Sequence, residues 1–394
     1  MRADIVSPLA QTAAGATAQA VLSACVHCGM CNATCPTYTL TGDEADGPRG
    51  RIYLIKQALE GNPVSRLTQR HLDRCLTCRA CETTCPSGVE YHRLLDVGRS
   101  VVAQQVRRPA WDRAMRWGIR TVVSRPLLLA PFVFVGRLTG KMPARVPARA
   151  VATRPQTRRM TLLKGCVQSA TAQHFNAATV RVFQAVGVSL NETSGVRCCG
   201  ALHAHLDAPD AARDLARHNI DVWIAALDAG DAAIVVNASG CAAFIRDYPD
   251  LMAEDPIYAA KARRVVASLR DPVEVLKQTP PTAVRPPREA RIAVHDPCTI
   301  RNGPGLGGAV AALLTGLGYD PRPVADPHMC CGSAGAYSVL QPQMAGRLRA
   351  EKLAALTGQN PTAIYTANIG CWMHLAETSP VPVRHWIEAV DAVV

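Results

Sequence analysis

Apolar positions along the chain follow one spacing near the N-terminus and another beyond residue 158. Ile52, Ile55 and Leu59 recur at helical intervals between Gly50 and Glu60, and Gly61-Asn62-Pro63 supplies a stop. A second helix is expected over 66–72. Further on, short apolar runs alternate with longer helical stretches. Leu162-Leu163, Ile234-Val235-Val236, Ile292-Ala293-Val294 and Ile364-Tyr365 read as strands, and 170–186, 211–227, 307–317 and 342–356 as helices. The order strand, helix, short strand, helix, strand occurs twice, which predicts a parallel α/β sheet in each half. The expected fold class is mixed: a helical N-terminal domain followed by a tandem pair of α/β domains.

A chain of 394 residues is long enough for two or three domains with separate cores. The boundaries expected are 1–100 for the helical domain, 101–158 for a linker, 159–275 for the first α/β domain and 288–394 for the second. Net charge is +12, yet 101–164 alone holds fourteen Lys or Arg against the single acid Asp112, leaving the rest near neutral. A field confined to one proline-broken segment argues against nucleic acid as a partner. It fits a solvated connector with short helices, or one that meets an acidic partner or membrane headgroups. The apolar run 126–136 is too short to span a bilayer and is broken by Pro131, so peripheral attachment is left open and integral membership is not expected.

Sixteen cysteines change the picture more than the charge does. The first ten residues show no continuous apolar segment of the secretory kind, so a cytoplasmic chain is expected and cysteine clusters default to metal binding. Cys25, Cys28, Cys31 and Cys35-Pro36 repeat fifty residues later as Cys75, Cys78, Cys81 and Cys85-Pro86. Both runs match C-x2-C-x2-C-x3-C-P, the bacterial ferredoxin pattern for 4Fe-4S clusters. Two-residue spacing lets a tight loop around Gly29 wrap three corners of a cubane, and the fourth cysteine reaches the neighbouring cluster. The expected metal ligands are Cys25, Cys28, Cys31 and Cys85 for one cluster, and Cys75, Cys78, Cys81 and Cys35 for the other. Zinc is the alternative for such tetrads. Asp43, Glu44 and Arg49, between the runs, suit partner docking or plain turn chemistry equally well.

The remaining cysteines repeat too. Cys166 and Cys298 each follow a strand, Cys198-Cys199-Gly200 and Cys330-Cys331-Gly332 come 32 residues later, and Gly240-Cys241 and Gly370-Cys371 close each half. Consecutive Cα atoms lie about 3.8 Å apart, below the usual disulfide range of roughly 4.4–6.8 Å, so the adjacent thiols are expected to face something other than each other. Ligands gather beyond the carboxyl ends of parallel strands, so Cys166, Cys198, Cys199 and Cys241, then Cys298, Cys330, Cys331 and Cys371, form two candidate cofactor-binding sets. An iron-sulfur cluster, zinc, a redox disulfide and reduced structural thiols all remain open there. His203, His205 and His328 lie nearby and are read as surface or packed residues. Gly303-Pro-Gly-Leu-Gly-Gly308 fits a dinucleotide fingerprint but stands apart from its strand and has no counterpart in the first half, so no flavin or hydride chemistry is expected in the chain itself.

The stretches Cys25-Val-His-Cys-Gly, Asp46-Gly-Pro-Arg-Gly-Arg-Ile-Tyr-Leu-Ile-Lys56, His71-Leu-Asp-Arg-Cys-Leu-Thr-Cys-Arg79, Cys330-Cys-Gly-Ser-Ala-Gly335 and Val383-Arg-His-Trp-Ile-Glu388 resemble the iron-sulfur subunits of glycolate oxidase, or glycolate dehydrogenase. The resemblance implies an electron-transfer subunit without catalytic residues of its own. Its partners would be FAD-containing subunits that oxidise glycolate to glyoxylate, and a quinone or other acceptor. The second part is also similar to the cysteine-rich domains of heterodisulfide reductase, anaerobic glycerol-3-phosphate dehydrogenase and lactate-utilisation proteins, which implies a rival reading with redox chemistry at the Cys-Cys-Gly sites. The fuller motif ends Cys-x-x-Cys, whereas this chain has Phe244 and His374. Phe244 cannot replace a ligand; His374 can in principle.

Overall fold

The computed structural model describes residues 1–138, 156–281 and 285–394. Lys141, Arg145, Arg149 and Arg154 of the basic segment lie outside the described residues. The chain begins with α1 (Ala13–Ala24), α2 (Pro36–Thr41), α3 (Pro48–Leu59), α4 (Arg66–Asp73), α5 (Ala80–Thr83) and α6 (Tyr91–Gln105), then α7 (Ala110–Val123) and α8 (Pro126–Leu138). The first repeat runs β1 (Arg158–Leu163), α9 (Cys166–Thr171), α10 (Gln173–Ala185), β2 (Val188–Glu192), α11 (Ala201–His205), α12 (Pro209–Asp228), β3 (Ile234–Val236) and α13 (Ser239–Arg246). It closes through α14 (Tyr248–Leu251), α15 (Tyr258–Ala267), β4 (Leu269–Arg270) and α16 (Pro272–Gln278). The second runs β5 (Arg291–His295), α17 (Cys298–Arg301), α18 (Ala309–Gly316), β6 (Asp320–Arg322), α19 (Tyr337–Leu340), α20 (Pro342–Thr357), β7 (Ala363–Thr366), α21 (Ile369–Ala376), β8 (Val383–His385) and α22 (Trp386–Val393).

Two compact units emerge. One comprises Met1–Met115 with His328–Lys352; the other comprises Arg116–Pro327 with Leu353–Val394. In the first, α6 packs against both α1 and α3, and the apolar stripe of α3 buries Ile52, Ile55 and Leu59 in one cluster with Leu22, Leu94 and Leu95. Gly98 makes this approach possible, since a Cβ there would lie 2.5 Å from Cγ1 of Ile55. Prolines set the helix starts: Pro36 opens α2 and Pro48 opens α3, where a missing N–H costs nothing. The Cys-Pro junction therefore ends one cysteine loop and begins a helix. His328–Lys352 belongs to this unit by its own contacts, among them Arg347 Nη2 donating to the Leu40 carbonyl at 3.1 Å. Boundaries drawn in sequence order cannot express that grouping.

In the second unit both sheets are parallel and share one strand plan, β2-β1-β3-β4 and β6-β5-β7-β8. The mixed helical and α/β class expected from the apolar pattern is the one observed. The helix expected over 170–186 is interrupted at Ala172, whose φ of −143° ends α9 and caps α10, so Cys166 starts a short helix of its own. The two repeats share a core. Val182, Phe183, Val273 and Leu276 of the first pack in the same cluster as Leu314, Trp386, Ile387 and Val390 of the second. Phe175 is fully buried, its ring 5.1 Å from Trp372 and 4.8 Å from His385. Nε2 of His385 pairs with the Asn237 carbonyl at 3.1 Å, and burial pushes this imidazole down to about 3, so it stays neutral.

Because Phe175 joins the repeats, Phe175→Ala is expected to cost about 3–5 kcal/mol and to lower both sheets in one calorimetric transition. Two transitions, only one of them shifted, would contradict a common core.

Candidate metal centre

The two cysteine loops near the N-terminus have the same winding. His27 and Thr77 hold φ of 60° and 52°, and Gly29 and Arg79 hold 86° and 60°, at positions fifty residues apart. Left-handed backbone costs a non-glycine residue of order 1–2 kcal/mol, and three of these four positions are not glycine. The turn therefore answers to what the loop encloses rather than to local preference. Thr34 Oγ1 donates to the Ala80 carbonyl at 3.1 Å, and Thr84 Oγ1 to Thr34 Oγ1 at 3.2 Å, which stitches the loops together.

Each loop then closes a cavity with a cysteine from the other. Cys25, Cys28, Cys31 and Cys85 line one of about 440 Å³, with Ile52, Val89 and Tyr91 in its wall. Cys35, Cys75, Cys78 and Cys81 line one of about 380 Å³, with Thr37, Arg51, Tyr91 and Leu95. Each cavity is thus lined by three cysteines of one run and the fourth of the other, and Cys81 borders both. Crowding changes their acidity. Burial, then the proximity of Cys25, Cys85 and Cys28, pushes the Cys31 thiol up to about 11. The Cys81 thiol is raised as well, by burial and by Cys78, Cys75 and Cys35. Four thiolates cannot share such a space without a cation, whereas a bound metal centre deprotonates its thiols outright. Soft sulfur donors with an apolar wall fit an iron-sulfur cluster.

Polar groups brace the two cavities differently. Beside the first, Glu44 pairs with Arg49 Nε at 2.6 Å and accepts from Asn32 Nδ2 at 3.1 and 2.9 Å, while Asp43 caps the turn before α3. These acids serve turn and loop chemistry. Beside the second, Asp46 is wholly buried; Oδ1 pairs with His71 Nδ1 at 2.8 Å and Oδ2 accepts from Arg74 at 2.7 Å. Arg51 is 1% exposed; its Nε donates to the His71 carbonyl at 2.8 Å and its Nη1 to Thr37 Oγ1 at 3.0 Å. Sequence reading passed over Arg51, Asp46 and Tyr91. The available signal was an arginine one residue before Ile52 on a stripe that has to be buried.

In the first repeat the structure gathers Cys166, Cys198, Cys199 and Cys241. Cys166 and Cys198 sulfurs are 3.5 Å apart. Hydrogen bonds from Cys166, Cys199 and His203 hold the Cys198 thiol far below its usual range, and the Cys166 and Cys199 thiols are raised in exchange. His203, expected to be a surface or packed residue, is half-buried, and its Nδ1 has no hydrogen-bond partner among the described residues. Gly200 has φ 94°, and Tyr248 Oη donates to the Cys199 carbonyl at 2.7 Å, which turns both thiols of the pair away from solvent. Phe244 packs edge-on against Tyr248 at 5.8 Å and His205 at 5.9 Å, an apolar plug where the fuller motif carries a ligand.

In the second repeat the equivalent cysteines divide between the compact units. Cys298 opens α17 after β5, and Cys371 lies in α21 after β7, with Asn368 Nδ2 3.6 Å from its sulfur. Cys330 and Cys331 belong to the unit of the ferredoxin-type loops, in which His328 is half-buried. Gly332, at φ 87°, admits no side chain, because a Cβ would meet the Ala345 carbonyl at 2.7 Å. The glycine-rich run 303–308 forms the turn into α18, and its Gly308 N–H donates to Asp296 Oδ2 at 2.7 Å.

Comparison with known proteins assigns the same regions. A family model described as a 4Fe-4S dicluster domain matches residues 21–89, and one described as a cysteine-rich domain matches 160–246 and again 292–376. The glycolate oxidase iron-sulfur subunit of Escherichia coli (strain K12) is 46% identical over 99% of this chain and 98% of its own length. The probable glycolate oxidase iron-sulfur subunit of Bacillus subtilis (strain 168) is 29% identical over 89% and 87%. Lactate utilization protein A of an Exiguobacterium species is 25% identical over 59% of this chain and 96% of its own. With near-complete coverage both ways at 46% identity, and with both domain types in the same order, the chain belongs to the family of glycolate oxidase iron-sulfur subunits.

Proposed function

We propose that this chain is the electron conduit of a glycolate-oxidising complex, receiving electrons from FAD-containing subunits that convert glycolate to glyoxylate and delivering them to a quinone or another acceptor. The observation that carries the reading is the pair of crossed cysteine cavities, each completed by the other loop. Cys25, Cys28, Cys31 and Cys85 would hold one 4Fe-4S cluster, and Cys75, Cys78, Cys81 and Cys35 the other. When bound, such clusters supply one-electron redox chemistry, two of them matching a two-electron donor. The chain's own part is positional. Crossed ligation couples the loops, Ile52, Val89 and Leu95 keep water from the sulfurs, and the wound backbone fixes the cysteine spacing. Cys28 reaches the surface between Val26 and Met30, 69% and 54% exposed, an edge suited to an electron-donating partner.

A second reading concerns the first repeat, where four mutually close thiols support a further metal centre formed by Cys166, Cys198, Cys199 and Cys241. It would add redox chemistry of the heterodisulfide reductase kind to the conduit.

We further propose that the chain works in the cytoplasm, peripheral to an anionic membrane surface. Among the described residues no single helix is long and apolar enough to cross a membrane. Yet α8 exposes Leu127 at 88%, Phe132 at 65%, Phe134 at 63% and Leu138 at 72%, with the exposed Arg125 at its start. Aromatic and basic side chains side by side suit a headgroup boundary. Other cations of the basic segment are engaged internally: Arg108 with Asp73 at 2.5 and 2.8 Å, and Arg116 with Asp207 at 3.4 Å.

Crossed ligation sets the outcome of cysteine variants. Cys35→Ser and Cys75→Ser should leave the same surviving EPR signal after reduction, and Cys85→Ser and Cys25→Ser should leave the other. If Cys35→Ser matched Cys25→Ser instead, the crossing would be wrong. For the membrane face, Phe132→Ser with Phe134→Ser should abolish co-sedimentation with phosphatidylglycerol vesicles while sparing cluster content; equal sedimentation of variant and wild type would reject it.

A further inference from the structure

Three residues wall both cavities: Pro48, Cys81 and Tyr91. Tyr91 is 4% exposed, and its hydroxyl has no hydrogen-bond partner among the described residues. A phenol hydroxyl buried without an acceptor is costly, and nearly all such groups find one. Arg51 repeats the pattern on one side only. It lines the cavity of Cys35, Cys75, Cys78 and Cys81, and its Nη2 makes no hydrogen bond among the described residues, although Asp46 Oδ1 lies 3.6 Å away. Two buried donors therefore border that cavity with capacity to spare. The other cavity has no such pair: its arginine, Arg49, is about one-third exposed and is held by Glu44 at 2.6 Å.

Resting on the two-cluster reading above, we infer that Tyr91 Oη and Arg51 Nη2 donate to sulfur of the cluster held by Cys35, Cys75, Cys78 and Cys81, and thereby raise its reduction potential above that of its neighbour. Reduction adds one negative charge to a sulfur-rich centre, and a hydrogen-bond donor or a buried cation favours the more negative form. A tyrosine phenol carries its proton at neutral pH and can donate it to an acceptor in the cavity. The consequence is direction. With clusters bound, Tyr91 and Arg51 would make transfer of one electron from the centre held by Cys25, Cys28, Cys31 and Cys85, oxidising it, to the centre held by Cys35, Cys75, Cys78 and Cys81, reducing it, a downhill step; a partner's reduced flavin would supply the electron near the exposed Cys28, and a quinone-class acceptor would take it.

The test is an EPR-monitored potentiometric titration of the full-length protein with its clusters, comparing wild type with Tyr91→Phe, Arg51→Gln and Arg51→Lys. In Tyr91→Phe one midpoint should fall, lowering the ratio of reduced to oxidised centre about tenfold at fixed potential, or ~59 mV for one electron. The other midpoint should not move. Arg51→Gln should lower the same signal, the one lost in Cys75→Ser, and Arg51→Lys should restore most of it. Tyr91→Phe keeps the ring and decides alone if Arg51→Gln fails to fold. Unmoved midpoints, movement of the other signal, or loss of iron from Tyr91→Phe would each overturn the inference. Two clusters with unmoved midpoints would sink only this step; fewer than two in wild type would sink the reading beneath it.

Discussion

Four thiols crowded into one small cavity resist ionising, because desolvation penalises the first thiolate and every thiolate formed penalises the next. The N-terminal unit imposes this twice, and the Cys31 and Cys81 thiols are both raised by it. Only a multivalent cationic centre relieves it, and the rest of the unit follows from keeping such a centre in place. Helices α1, α3 and α6 form an apolar support, the Cys35-Pro36 junction ends the first loop and launches α2, and left-handed residues at matched positions wind each loop around its cavity. Arg51 lines one cavity and lies beside Asp46, which also pairs with His71 and Arg74, and this polar cluster separates two loops built on the same pattern.

The tandem repeats apply a second rule to the same element. Each parallel sheet ends at short helices opened or occupied by cysteine, and each Cys-Cys-Gly turn places two sulfurs where only glycine fits behind them. One strand plan does not give one site. The first repeat keeps its four cysteines in one unit, with Phe244 and Tyr248 packed in the cluster that buries Cys199. The second gives up its Cys-Cys-Gly segment to the unit of the ferredoxin-type loops.

Much of this was legible in the sequence because it is local. Cysteine spacing of two residues encodes a loop, the repeat at fifty residues encodes a partner loop, and the crossing follows from the chemistry of the motif. Strands of Val, Ile and Leu before each Gly-Cys encode parallel sheets. What stayed hidden depends on tertiary burial. Arg51 on an apolar stripe reads as a register error until Asp46 is placed beside it, and Tyr91 is an ordinary aromatic until its hydroxyl is found without a partner. The grouping of His328–Lys352 with the first unit could not be read from repeat boundaries, because a repeat records ancestry and not packing.

The central claim is that the chain carries two cubane clusters in crossed cavities. Iron and acid-labile sulfide, measured anaerobically on the full-length protein alongside the EPR spectrum of its reduced form, test it most directly. About eight iron and eight sulfide per chain, with two reducible 4Fe-4S signals, are expected. About four iron and one signal, or zinc in place of iron, would contradict it.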